Sequence, residues 1–119
     1  AGLDLHAVED VSLPPQERRA ISTGIALAIP PGQVGLIWDR SGLAAKHGLK
    51  SMGGVIDANY RGEIKVILHN LSTEPFTVEK GMRIAQLLIQ PVQKKEIVEI
   101  QELDENTERG REGFGSSGK

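Results

Sequence analysis

Short runs of β-branched and aliphatic residues, separated by turns that contain glycine or proline, constrain the fold of this chain most strongly. Three of these turns are Pro30-Pro31-Gly32, residues 71–75 and Glu79-Lys80-Gly81. The runs predict strands at 1–7, 21–29, 33–39, 63–70, 75–79, 82–90 and 95–100. The polar stretch 9–20, which contains Pro14-Pro15, is expected to be a surface loop. Short strands at this spacing predict an all-β domain, built as a sandwich or a barrel.

Residues 41–48 are the exception to the β pattern. They combine a serine suited to an N-cap, good helix formers and a terminal glycine. This order predicts one short helix of at most two turns, with Ser41 as its N-cap and Gly48 at its end.

The composition limits the size of the core and the kinds of partner. With 119 residues the chain has the length of one domain, and it holds only one Trp, one Tyr and two Phe. The core is therefore expected to consist of Val, Ile, Leu and Ala, and such a modest core favours burial in an oligomer. A net charge of −2 without a basic patch argues against a nucleic-acid polymer as partner. The lack of cysteine and of a long apolar run predicts a soluble, cytoplasmic protein without disulfides or a membrane partner.

The composition changes after residue 95. Six acidic residues lie between positions 96 and 108, and residues 109–119 are rich in glycine and serine. The last eleven residues cannot bury enough surface to fold alone, so a frayed tail is one interpretation. The other is a lid over an anionic, planar ligand, since the tail carries Phe114 with two arginines and two serines. The sequence thus predicts a β-barrel domain over 1–108 and a flexible lid arm over 109–119.

Asp57 is the strongest candidate for a reactive group. It follows Val55-Ile56, which is expected to be a buried strand, and precedes Tyr60, the only tyrosine. A half-desolvated acid beside an aromatic ring is well placed to act as a general base. The alternative is an aspartate that starts a hairpin turn.

Two further segments could bind an anion. Residues 39–42 lie at the predicted junction of strand and helix, where free N–H groups, a hydroxyl and the Arg40 guanidinium would meet. The alternative there is an ordinary helix cap with a surface arginine. Gln86 lies among apolar strand residues and needs hydrogen-bond partners, either the backbone or a phosphate oxygen. The histidines at 6, 47 and 69 have no ligand-like spacing, so no protein-held zinc site is expected.

Taken in order, these segments resemble the five motifs of the homotrimeric dUTP pyrophosphatase (dUTPase) family. The segments that are similar to motifs one to five are residues 1–5, 40–44, 54–63, 81–88 and 109–118. The resemblance covers the whole chain. It implies a distorted, jelly-roll-like β-barrel subunit and a trimer with three sites at its interfaces. Motifs one, two and four of a site would come from one subunit, the third from another, and the fifth from a third.

The resemblance also implies the reaction, which is Mg²⁺-dependent hydrolysis of dUTP to dUMP and pyrophosphate. This activity keeps uracil out of DNA. Asp57 would deprotonate a water that attacks the α-phosphorus, and Tyr60 would pack under the deoxyribose and exclude a ribose 2′-hydroxyl. Asp4 would support, through water, a magnesium ion carried mainly by the triphosphate.

The remaining residues carried over from the family would bind substrate. Gly54 and Ile56 would lie near the base, and Phe114 would stack on uracil. The groups that would hold or approach phosphate oxygens are Arg40, Ser41, Gly42 and Gln86 in the barrel, and Arg109, Gly115, Ser116 and Ser117 in the arm.

The chain also departs from the family pattern. Ser51, Met52 and Gly53 stand where many members have an asparagine near uracil, so backbone groups around Gly54 are expected to read the base. Glu112 replaces a common glycine in the fifth motif. The chain starts at the first motif, which points to a truncated sequence.

Two other functions were weighed against dUTP hydrolysis. A bifunctional dCTP deaminase with dUTPase activity would need a catalytic glutamate near the second motif, and residues 43–47 contain none. A non-catalytic regulatory module on the same scaffold is opposed by the presence of Asp57, Tyr60 and Arg40.

Overall fold

A computed structural model describes residues 1–115 of the chain. Over these residues it has nine strands and one short helix, in agreement with the all-β prediction. The strands are β1 (Leu3–His6), β2 (Val11–Leu13), β3 (Arg18–Ser22), β4 (Gln33–Trp38), β5 (Leu49–Met52), β6 (Val55–Ile56), β7 (Lys65–Asn70), β8 (Phe76–Val78) and β9 (Arg83–Pro91), and the helix is α1 (Ser41–His47).

The strands form three antiparallel sheets around one aliphatic core. Their orders are β1-β9-β4-β6, β3-β7-β5 and β2-β8. Inward-facing side chains from all three sheets form a single cluster, whose largest fully buried members include Leu5, Leu13, Ile21, Leu68 and Leu87. This is the expected core of aliphatic residues, arranged as a distorted jelly-roll-like barrel.

Two predictions about the first third of the chain are wrong. Residues 9–20 are not only a loop, because they contain β2 and the start of β3. The strand predicted at 21–29 ends at Ser22. Beyond it, the Thr23 hydroxyl donates to Ile64 O at 2.5 Å and the Ile64 N–H donates to Ile25 O at 2.8 Å, without a regular ladder. Each short strand buries only one or two residues, so the polar exposed face hid the alternation.

Helix α1 lies where the sequence places it, but its first residue differs from the prediction. The N-cap is Arg40, with an extended backbone and no side-chain capping bond, so Ser41 is the first helical residue. Gly48 ends the helix as predicted, with a left-handed φ of 64° and an N–H that donates to Ala44 O at 3.1 Å. None of the helical residues is buried, so α1 rests on the barrel surface.

Residues 92–115 extend from the barrel without helix or strand, so the strand predicted at 95–100 is wrong for the single chain. Apolar side chains in this segment are exposed, with Ile97 95% and Leu103 76% accessible. The radius of gyration is 18.7 Å, whereas a compact domain of this length has about 13 Å. The apolar residues predicted to form a strand therefore have no neighbouring strand within the described chain.

No helix within residues 1–115 combines the length and the apolar character needed to cross a membrane.

Candidate functional site

The register of the first sheet brings together residues that are far apart in the sequence. Asp4 lies opposite Gln86, and Gln86 lies opposite Trp38, so these residues form one row across β1, β9 and β4. Arg40 follows two residues after Trp38, at the start of α1. Motifs one, two and four of the sequence analysis thus meet at one edge of the barrel.

Three charged side chains at this edge are loosely paired. Arg40 Nε lies 3.9 Å from Asp4 Oδ1, and Arg83 Nη1 lies 3.7 Å from Asp4 Oδ2. Arg40 Nη1 also donates to Arg83 O at 3.5 Å. Arg83 was not among the predicted site residues, although it lies within the fourth motif. We call Asp4, Arg40, Arg83 and Gln86 the polar cluster.

Gln86 is half-buried and is held by the backbone. Its Nε2 donates to Asp39 O at 2.9 Å. Of the two partners expected for this amide, the single chain therefore supplies the backbone. A Cβ built on Gly2 would lie 2.6 Å from Gln86 Oε1 and 2.8 Å from Gln86 Cβ. Gly2 therefore makes room for this side chain, a role that motif reading did not assign to it.

The start of α1 is open. Ser41 and Gly42 are exposed, the first turn of the helix contains no acidic residue, and a Cβ on Gly42 would meet no atom within 4 Å. The Ser41 hydroxyl and the backbone at Gly42 are thus accessible beside Arg40, as an anion site would require.

Asp39 connects this edge to β5. Its Oδ2 accepts from Lys50 Nζ and its Oδ1 from the Ser51 N–H, both at 2.7 Å. Partial burial raises the pKa of Asp39, but the bonds from Lys50 and Ser51 outweigh that effect and bring the pKa below its ordinary value. The carboxylate is therefore held in its charged form.

The Asp57 turn, residues 57–60, lies in the segment between β6 and β7. The Tyr60 N–H donates to Asp57 O at 3.1 Å, so Asp57 does begin a turn. The Tyr60 hydroxyl donates to Glu63 O at 2.8 Å, and its ring covers Gly62, where a Cβ would lie 2.5 Å from the hydroxyl. These contacts fix the tyrosine ring against the turn.

The environment of Asp57 differs from the expected one. Val55 is 64% exposed, and Ile56 is only half-buried, because β6 is a two-residue strand at the edge of its sheet. Asp57 itself is exposed in the single chain. The prediction of a buried strand and a half-desolvated acid is therefore wrong for the single chain.

A cleft of about 700 Å³ opens beside Tyr60 and Asp57. Its floor is the row Ala20, Ile67 and Met52 on the outer face of the second sheet, and Gly54 to Ile56 form one wall. Gly54 has a φ of 94°, and a Cβ there would lie 3.1 Å from Ile37 O. Clefts of this volume are typical of small-molecule sites. Ser51 does not line the cleft, because it is buried behind Met52.

The Asp57 turn and the polar cluster lie at opposite ends of β4. Gly35 pairs with Ile56, whereas Trp38 pairs with Gln86. Asp57 is therefore level with Val34, four residues from Trp38, which corresponds to about 13 Å along the strand. Within one chain, Asp57 therefore does not reach the polar cluster.

In residues 109–115, the part of the arm that the structure describes, the hydrogen bonds and the ion pair join only residues that are close in the sequence. Arg109 Nε donates to Glu112 O within a local turn, and Phe114 is fully exposed, as is Gly115. Ser116 and Ser117 lie outside the described residues. The predicted roles of all five arm residues stay predictions.

Carboxylates and histidines do not form a metal cage within residues 1–115, where no group of three or more such residues is close enough to share an ion. Asp4 is a lone carboxylate beside two guanidinium groups. That setting fits a hydrated Mg²⁺ brought in by a phosphate ligand better than an ion bound by protein alone.

Comparisons with known proteins agree with this geometry. The family model described as dUTPase matches residues 1–118. Deoxyuridine 5'-triphosphate nucleotidohydrolase of Mycolicibacterium gilvum is 54% identical over 125 residues, covering 99% of the chain and 81% of that protein. The protein of the same name from Clostridium kluyveri is 50% identical, with 99% and 83% covered.

Solved structures show the same similarity. A variant of the Staphylococcus bacteriophage 80alpha dUTPase with dUpNHpp has a TM-score of 0.93 at 34% identity, covering 99% of this chain and 86% of that one. A variant of the phage phi11 dUTPase, described with a structural Mg(II) ion, has a TM-score of 0.80 at 30% identity, with 86% and 84% covered. The chain belongs to the dUTPase family, because the family model matches nearly all of its residues and about half of these residues are identical in the relatives named above.

Proposed function

We propose that this protein hydrolyses dUTP to dUMP and pyrophosphate, which removes dUTP from the DNA precursor pool. The observation that carries this proposal is the meeting of Asp4, Arg40 and Gln86, from three distant segments, at one edge of the barrel. The names of its relatives and the dUpNHpp in the related phage structure support the choice of dUTP.

In this proposal the working site is shared between copies of the chain in a homotrimer. Asp57 is about 13 Å from the polar cluster along β4, so a second copy supplies the Asp57 turn. The outer face of the first sheet favours such contact, because Trp38 is 53% exposed beside the polar cluster and Val55 is 64% exposed next to the Asp57 turn. A mass measurement in solution tests this arrangement, and a monomer that turns over dUTP would contradict it.

The triphosphate binds at the polar cluster and the start of α1. Its oxygens are held by Arg40, the Ser41 hydroxyl, the Gly42 N–H and Gln86. Negative charge develops on these oxygens as the bond to the leaving pyrophosphate breaks. Asp4 would hold a bound Mg²⁺ through water, and the ion would further neutralise that charge. Arg40 can exchange its 3.9 Å contact with Asp4 for a phosphate at little cost, because the pair is partly exposed.

The nucleoside lies in the cleft beside Tyr60. Its base faces the backbone around Gly54 and the wall at Ile56, and the fixed Tyr60 ring leaves no room for a 2′-hydroxyl. Asp57 accepts a proton from a water whose oxygen bonds to the α-phosphorus. The bond from that phosphorus to the bridging oxygen breaks, and pyrophosphate leaves.

The arm, residues 109–119, closes the site of a neighbouring copy in this proposal. Phe114 stacks on uracil, while Arg109, Gly115, Ser116 and Ser117 approach the outer phosphates. The full exposure of Phe114 in the single chain supports a partner outside its own subunit. The barrel then carries the other four motifs, and residues 92–108 connect it to the arm.

A turnover assay with dUTP, dCTP and UTP in the presence of Mg²⁺ tests the proposed function. Release of pyrophosphate from dUTP alone supports it. Release of ammonia from dCTP would instead identify the bifunctional deaminase. Tight dUTP binding without turnover would identify the regulatory module.

Asp57→Asn is predicted to leave nucleotide affinity nearly unchanged and to lower kcat for dUTP by about 10²- to 10⁴-fold. The amide keeps the shape of the turn but cannot accept a proton from water. Steady-state kinetics and calorimetric titration with dUpNHpp measure the two effects. Asp10→Asn is the matched control, since Asp10 is an exposed aspartate that accepts the Lys80 N–H at 2.7 Å. An unchanged kcat in Asp57→Asn would remove Asp57 from its role.

Deletion of residues 109–119 is predicted to reduce turnover strongly and to leave the melting temperature unchanged. Loss of Phe114 alone removes about 1–3 kcal/mol of stacking on the base, so Phe114→Ala should reproduce much of the deletion. Activity and thermal melting are measured on both variants and the full chain. A collapse in melting temperature after deletion would show that the arm is part of the fold and would contradict the lid.

A further inference from the structure

Asp39 has no part in the proposed chemistry, yet three groups bind it. Its two carboxylate oxygens accept from Lys50 Nζ and the Ser51 N–H, each at 2.7 Å. Its backbone carbonyl accepts from Gln86 Nε2 at 2.9 Å. One residue thus contacts β5 through its side chain and the polar cluster through its backbone.

The start of α1 has few other supports. Its N-cap, Arg40, makes no side-chain capping bond, and no residue of the seven-residue helix is buried. No side-chain cap therefore holds Arg40, Ser41 and Gly42, and the packing of the helix on the core rests on Leu43, which is only partly buried. The residue directly before them is Asp39, whose bond to the Ser51 N–H reaches a strand residue that is only 8% exposed.

We propose that Asp39 is a positioning residue for triphosphate binding, which holds the start of α1 and the Gln86 amide in place by anchoring them to β5. This inference rests on the proposed function, because the groups it positions are those assigned to the triphosphate. Asp39 itself does not touch substrate.

The charge of Asp39 requires Lys50 as its partner. A free carboxylate one residue from Arg40 would repel a triphosphate, whereas the 2.7 Å ion pair with Lys50 neutralises it. The lowered pKa of Asp39 agrees with a carboxylate that stays charged and paired. Lys50 is 53% exposed at its side chain and Asp39 22%, so the acid is the inner member of the pair.

The experiment compares Asp39→Ala with Asp39→Asn. Alanine removes both side-chain bonds, and we expect kcat/KM for dUTP to fall about tenfold, mainly through KM, as loss of one charge-assisted anchor would give. Asparagine keeps an oxygen for the Ser51 N–H and is expected to stay within about threefold of the wild type. Glu17→Ala is the matched control. Glu17 Oε1 forms an exposed ion pair with Arg19 Nη2, 3.0 Å apart, and this pair lies outside the polar cluster.

A second pair of variants keeps the backbone anchor and changes only the charge. Lys50→Met leaves the carboxylate unpaired and should raise KM by about three- to fivefold. Adding Asp39→Asn to Lys50→Met should return KM to near the wild-type value. If the double variant stays as weak as Lys50→Met, the charge argument is wrong.

Binding of dUpNHpp, measured by calorimetry, separates the two proposals. A wild type that binds dUpNHpp without turning over dUTP contradicts the proposed function, whereas weaker binding to Asp39→Ala still supports the positioning role. The positioning role is overturned if Asp39→Ala binds and turns over as Glu17→Ala does. It is also overturned if asparagine is as damaging as alanine.

Discussion

The corner after β7 and the polar cluster both contain several polar side chains, but these are buried and tightly hydrogen-bonded at the corner and loosely paired and partly exposed in the cluster. At the corner, the fully buried Asn70 amide donates to Leu13 O at 2.9 Å and to Glu74 O at 2.7 Å. Its oxygen accepts from the Ser72 N–H at 3.0 Å and the Ser72 hydroxyl at 2.7 Å. In the polar cluster, the contacts of Arg40 and Arg83 with Asp4 are 3.7–3.9 Å long and partly exposed.

This contrast separates the residues that hold the fold from those available to a ligand. Within residues 1–115 every buried side-chain nitrogen or oxygen has a hydrogen-bond partner. Removing one partner would leave a buried polar group that water cannot reach, which is costly. The long, partly hydrated ion pairs at Asp4 can be exchanged for other partners because water compensates the charges that are released. Changes at the corner should therefore alter stability, and changes at the cluster should alter binding.

Asn70→Ala is predicted to have the largest effect and to act on stability. It deletes four hydrogen bonds and removes the amide donor from the buried Leu13 carbonyl, which should lower the free energy of unfolding by about 3 kcal/mol. Denaturant unfolding measures this loss, and kcat/KM of the folded protein should stay close to the wild type. Asn106→Ala, in an exposed turn, is the control and should be neutral. If Asn70→Ala lost much of its kcat/KM under conditions where it is fully folded, the division between residues for stability and residues for binding would be wrong.

Gly2→Ala is predicted to act on the cluster, with an intermediate effect. The new methyl group would lie 2.6 Å from Gln86 Oε1, so the amide must move, and kcat/KM should fall about tenfold, or about 1.4 kcal/mol. Stability should change little, since Gln86 is only half-buried. In a Gln86→Ala background the same substitution should have no further effect on kcat/KM. Additive losses in the double variant would show that Gly2 acts by another route.

The acid dependence of stability should show the smallest effect. The pKa of Asp39 lies below its ordinary value of about 3.9 in the folded chain. Its ion pair therefore stabilises the fold above about pH 4, and this contribution is lost as the pH falls through the lowered pKa. Between pH 5 and pH 3 the wild type should lose more unfolding free energy than Asp39→Asn, by less than about 1 kcal/mol. Parallel curves for the two proteins would contradict this assignment.

Local signals in the sequence predict the elements that local chemistry decides. Gly48 ends α1 as expected, because its left-handed backbone suits glycine. The pattern of β-branched residues finds β4, β7, β8 and β9 within a few positions. It fails at 95–100, where the same pattern has no pairing strand among residues 1–115, and at Val55, which lies in an edge strand and is exposed. Pairing partners and edges are properties of the whole sheet.

The candidate site shows the same division between local and long-range information. Motifs identify Asp57, Tyr60, Arg40 and Gln86 as residues of interest, but the distance between Asp57 and the cluster follows from strand register. Asp39 and Gly2 escaped assignment because their roles depend on contacts with β5 and β9, far away in the sequence. Residues that support a site through contacts with distant parts of the chain are therefore the hardest to identify from one sequence.

The position of Trp38 gives the chain a built-in optical reporter. It is the only tryptophan, lies opposite Gln86 in the row that leads to Asp4, and is half exposed. The tryptophan emission of the protein therefore reports the water around one indole ring beside the groups proposed to bind the triphosphate. In the proposed arrangement, ligand binding and contact between copies would both change that environment, so emission spectra could follow either process without a label.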